Sequence, residues 1–107
     1  MKQKLLTKEI TNRIPALYSQ DGVKDKMVHA KFFTPYSNWT WYATEYDPTD
    51  RIFFGYVIGF EKEWGNFSLD ELEAAKGPCG AQGVERDKFF TPKLMSEIKE
   101  CAETVEA

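Results

Sequence analysis

The side chains of this chain that could do chemistry are its carboxylates. Glu45, Asp47 and Asp50 gather around one turn, Glu61 and Glu63 flank Lys62 just before Trp64, and Glu85, Arg86 and Asp87 form an unbroken run of charge. Two carboxylates in unlike environments separate in pKa, so that one can serve as acid and the other as base. An enzyme on that plan needs Glu45 or Glu63 to converge with Glu85, Arg86 and Asp87 in a cleft, one carboxylate sitting among apolar groups. The plainer reading places Glu85 and Asp87 on one face of a strand while Arg86 anchors a loop by charge-assisted hydrogen bonds. The planar guanidinium, with five donors, suits that task better than an ammonium does. Its expected partner is a carboxylate, Glu45 or Glu63 foremost, or a loop carbonyl. Structure and partner binding are the roles adopted for these residues, and none is assigned as catalytic.

Other chemistries lack their residues. There is no GxGxxG, P-loop, HExxH or GxSxG segment. Cys79 and Cys101 are far apart, and His29 is the sole histidine, so no familiar zinc set can be assembled and no metal or cofactor is expected. The cysteines read as structural thiols of a reducing compartment, a disulfide between them being the alternative. His29 falls within an alternating run and reads as structural.

The chain has 107 residues, enough for one domain, and a net charge of −3. An acidic balance disfavours a nucleic-acid binder, which needs cations to displace the counterions of phosphates. Eight phenylalanines, five tyrosines and three tryptophans are the strongest compositional signal, and most of them lie between Phe32 and Phe60. Adjacent pairs such as Trp41/Tyr42 and Phe53/Phe54 point to opposite faces of a strand. Either both faces of a sheet are covered, or one is an aromatic platform on which Trp39 and Trp41 are the anchors. The apolar run in MKQKLLTKEI is too short for a signal peptide. No stretch reaches the roughly 20 apolar residues of a membrane span, so a cytoplasmic protein without membrane contact is expected.

The elements that position these residues follow from periodicity. Residues 1–14 read as a helical arm ended by Pro15. A period of two begins at Met27, and a second run from Trp39 to Tyr46 puts Trp39, Trp41, Ala43 and Glu45 on one face. A third, from Arg51 to Glu61, carries Ile52, Phe54, Tyr56, Ile58 and Phe60 on one face, with Gly55 and Gly59 on the other. Ser68 and Glu71 form a capping box, with Phe67 and Leu72 as its staple. Beyond a glycine-rich loop, 84–90 is a further strand. Thr91-Pro92 opens a last helix lined by Leu94, Met95, Ile98, Cys101, Ala102 and Val105. The segment KFFTP occurs at 31–35 and again at 88–92, read as the same strand ending used twice. Together these give a single α+β domain over 1–107, an antiparallel meander of three to four strands with helices packed mainly on one face.

KFFTPYSNWTWYATEYD, FFGYVIGFEKEWGNFSLDELE and VERDKFFTP together resemble a family of small bacterial proteins of unknown function carried on plasmids, phages and integrative elements, domain-of-unknown-function family 2958. The resemblance runs from about Leu17 to Pro92. Its recurring elements are Trp41, Tyr42 and Glu45; Phe54-Gly55; the segment from Glu63 to Leu72; and the Glu85-Arg86-Asp87 run through Pro92. It implies a genetic setting and no activity.

The reading is therefore a non-enzymatic interaction module of a mobile element that binds another protein. Its binding residues are Trp39, Trp41, Glu45, Glu63, Glu85, Arg86 and Asp87. The alternatives are a small carboxylate enzyme and a single-strand nucleic-acid binder that stacks bases on the sheet. A homodimer through an edge strand or the aromatic face is compatible with either surface.

Overall fold

The computed structural model describes residues 3–105. Seven strands run as β1 (Met27–Val28), β2 (Ala30–Phe33), β3 (Thr40–Asp47), β4 (Ile52–Ile58), β5 (Lys62–Ser68), β6 (Glu85–Arg86) and β7 (Lys93–Leu94). Two short helices, α1 (Lys8–Arg13) and α2 (Leu69–Ala74), complete the regular elements beside three 3-10 turns. A five-stranded antiparallel sheet has the order β5-β4-β3-β2-β6, and β1 pairs with β7 as a separate ribbon. The α+β class fits, but the sheet is larger than the three to four strands expected.

β3 and β4 lie where β-branched and aromatic residues predict them. A bulge at Thr44 changes their faces: Ala43 lies opposite Gly55, Glu45 opposite Phe54 and Tyr46 opposite Phe53. The extra residue brings Ala43 and Tyr46 onto one face and turns Glu45 to the other, so the expected grouping of Glu45 with Trp41 and Ala43 fails. The Met27–Phe33 run is also broken. His29 still donates its N–H to Ala43 O, but its carbonyl accepts from Arg13 Nη2, and β1 diverges to meet β7.

β5 was not anticipated. Its two large rings, Trp64 and Phe67, are three apart and cover opposite faces, stacking on Phe54 and Phe53 respectively, so no alternation is visible. The strand expected over 84–90 shrinks to β6, because the Asp87 carboxylate accepts Phe89 N–H and turns the chain. The second KFFTP is therefore a turn rather than a strand ending. The last helix is replaced by β7 and by 3-10 turns at Met95–Glu97 and Ala102–Thr104. Met95, Ile98 and Cys101 are still buried. Each is joined to the next by an i→i+3 hydrogen bond, Ile98 N–H to Met95 O and Cys101 N–H to Ile98 O, so the spacing of three recurs although the extended Ile98 interrupts any continuous helix. The N-terminal arm also shortens: Thr7 caps α1 by accepting Ile10 N–H, and Leu5 and Leu6 reach the core before the helix begins.

Both sheet faces are covered. Leu5, Leu6, Ile10, Leu69 and Leu72 pack with Phe32, Ala43, Tyr46 and Phe53 on one side, so α1 and α2 share a face. On the other, Met95, Ile98 and Cys101 pack with Val28, Tyr42, Tyr56 and Ile58. The aromatic surplus is thus mostly core. Ser68 does cap α2, its hydroxyl accepting Glu71 N–H.

Candidate functional site

A groove of about 710 Å³ opens beside the pairing of β2 with β6. Its floor and walls come from the two KFFTP segments, through Lys31, Phe33 and Thr34 of the first and Lys88 and Phe89 of the second. Trp39, from the β2–β3 connection, and Glu100, from the C-terminal segment, close it. Phe89 is 91% exposed on its rim. The lining is mixed, with the apolar side chains of Phe33, Trp39, Ile58 and Phe89 set among charged and polar ones, and concavities that converge polar groups on an apolar surface are where ligands bind.

The polar groups on its lining are mostly committed. Lys31 Nζ lies 3.9 Å from the Asp87 carboxylate, which also accepts Phe89 N–H. The Tyr42 phenol donates to Glu100 Oε1 at 2.8 Å. Burial, and then that bond to Glu100, hold the Tyr42 phenol well above its ordinary pKa. Close by, burial pushes the Cys101 thiol up to about 12, with the Glu100 charge adding to it. Arg86 turns its guanidinium away from the acids, and Nη1 donates to the carbonyls of Lys4 and Leu5. Its backbone N–H and C=O both bond the Gln3 carboxamide, at 2.6 and 3.0 Å.

Four of the seven candidate residues, Trp39, Glu85, Arg86 and Asp87, line this groove. The other three lie elsewhere. Glu45 is 1% exposed at mid-sheet, where its carboxylate accepts from Tyr18 N–H at 2.5 Å and Gln20 N–H at 3.2 Å. Glu63 is on β5, at the opposite edge of the sheet from β6. Neither can partner Arg86, and the carboxylate set required for acid–base work does not converge. Trp39 and Trp41 are half-buried rather than exposed anchors. Their rings stack at 5.9 Å, Trp39 lies directly over Gly59, and Trp41 packs against the core. Cys79 is exposed and Cys101 buried, both as free thiols.

Sequence reasoning missed Gln3, Phe89 and Glu100. The repeated KFFTP was the available signal for Phe89, but its first copy is a strand whose Phe32 is fully buried. Equal segments suggested equal burial, and the turn at Asp87 removes that equivalence.

Among the described residues no group of acidic, histidine and cysteine side chains could hold a metal ion, and no helix is long and apolar enough to cross a membrane. The chain belongs to the family described as a protein of unknown function (DUF2958), whose model matches residues 5–107. No curated protein and no solved structure matches it.

Proposed function

We propose that this chain is a cytoplasmic interaction module of a mobile genetic element, and that the groove beside β6 holds a segment of another protein. The observation that carries the reading is the exposed Phe89 ring on the rim of a concavity that also gathers Trp39, Glu85 and Asp87. An apolar ring held out in water at the mouth of a groove is what a partner would bury, since aromatic anchors dominate protein interfaces. Phe89 replaces the half-buried tryptophans as the residue to test. A photo-crosslinking phenylalanine analogue at position 89, in the native host, should give one discrete protein adduct. The same analogue at Tyr18, which is also exposed but lies away from the groove against Phe54, should not. Adducts of equal yield from both positions, or none from position 89, would reject this role for the groove.

A further inference from the structure

We propose that the groove is anchored by an arginine side chain of the partner protein, its guanidinium ion-paired to Glu85 and lying against the aromatic walls. This rests on the reading of the groove as a protein-binding site and names what that site recognises. Six charged residues line the groove, and their commitments differ. Asp87 has Lys31, Glu100 has the Tyr42 hydroxyl, and Arg86 is held by the carbonyls of Lys4 and Leu5. Lys88 is exposed at the rim. Glu85 is partly buried, and among the described residues its carboxylate has neither an ion pair nor a hydrogen bond.

The Glu85 carboxylate faces a groove that is partly screened from solvent and has no ion-pair partner among the described residues, so an incoming cation can pair with it there. Phe33, Trp39 and Phe89 line the same groove, and ring faces attract cations. A guanidinium is planar, stacks on rings and is more weakly hydrated than an ammonium, so it is the better cation for this setting. Main-chain recognition is closed off, because the Gln3 carboxamide occupies both outward backbone groups of Arg86. A partner therefore reaches this edge through side chains rather than by adding a strand.

The test uses the whole chain, labelled with 15N and titrated with Nα-acetyl-arginine methylamide, its isosteric neutral citrulline analogue and the lysine analogue. Saturable shifts are expected at the amides of Phe33, Glu85 and Phe89 and at the Trp39 indole. Citrulline should bind at least tenfold more weakly and lysine more weakly than arginine. Glu85→Gln should abolish the arginine shifts, and Lys88→Gln should keep them. Absence of shifts, equal binding of citrulline or lysine, or unchanged binding by Glu85→Gln would each overturn the assignment. The crosslink at position 89 separates the two claims. A specific adduct without an arginine response removes the anchor and leaves the protein-binding groove standing.

Discussion

Three glycines show how finely single residues are placed. A methyl group built on Gly55 would lie 1.9 Å from the Tyr42 carbonyl oxygen, on Gly59 2.4 Å from the Trp39 ring, and on Gly65 more than 4 Å from anything. Backbone cannot yield as a side chain can. Gly55→Ala should therefore cost about 3 kcal/mol, near the top of the usual overpacking range, and Gly65→Ala should stay within about 0.5 kcal/mol. Gly59→Ala should instead displace the indole and change its fluorescence. Urea titrations of the three variants check the order, and equal midpoints for Gly55→Ala and Gly65→Ala would contradict the close approach. Arg86 is a second case. Its role as an anchor was legible in the Glu85-Arg86-Asp87 run, since four consecutive charges, Lys88 included, before two phenylalanines need a tether. The partners were not, because they are main-chain carbonyls more than 80 residues away. With neutral acceptors rather than a buried carboxylate, Arg86→Ala should cost about 1.5–3 kcal/mol. Arg86→Lys, which loses the fork, should recover only part of that in the same titration.

Among the elements, β6 depends on the far end of the chain. A two-residue edge strand is a weak element, and Gln3 completes it by supplying an acceptor for Arg86 N–H and a donor for Arg86 C=O. The same residue exchanges bonds with Gln82, through its own N–H to Oε1 and its carbonyl to Nε2. Gln3→Ala should lower stability by about 1 kcal/mol and accelerate hydrogen exchange at the Arg86 amide far more than at Tyr42 in the central strand. Uniform acceleration would mean that Gln3 matters only to global stability. The elements legible in the sequence were those whose cause is local. β3 and β4 follow from their aromatic and β-branched composition, and α2 from Ser68 and Glu71. β5 was hidden because Trp64 and Phe67 serve opposite faces, and the Gln3 closure because no local pattern marks a side chain acting as a strand. In the C-terminal segment the buried positions Met95, Ile98 and Cys101 were legible but their helix type was not. Lys93 and Leu94 are taken by β1, and Ile98 adopts an extended conformation with ψ 115°.

At the scale of the whole molecule, one side of the sheet is closed by the N-terminal segment together with α2 and the other by the C-terminal segment, and the kink at His29 marks where β2 leaves one system and β1 joins the other. Arg13 holds that junction: Nη2 donates to His29 O at 2.9 Å and Nη1 pairs with Glu9. Arg13 Nε and His29 Nδ1 are buried there without partners among the described residues. Burial first, and the Arg13 charge second, hold the His29 pKa below its usual value of 6.5. The unfolded chain therefore takes up a proton at His29 at a higher pH than the folded chain does. Where the unfolded state binds more protons, stability rises with pH. The contribution of His29 is fully present above pH 6.5 and is lost as pH falls through its lower, folded value. His29 is the only histidine, so between pH 7 and 5 it is the side chain whose ordinary titration range is crossed. Urea midpoints should fall steadily over that interval, and His29→Gln, which cannot take up the proton, should flatten the profile while the carboxylate-driven loss at lower pH remains. A midpoint that rises as pH falls, or a slope unchanged in His29→Gln, would show that protonating this junction does not oppose folding.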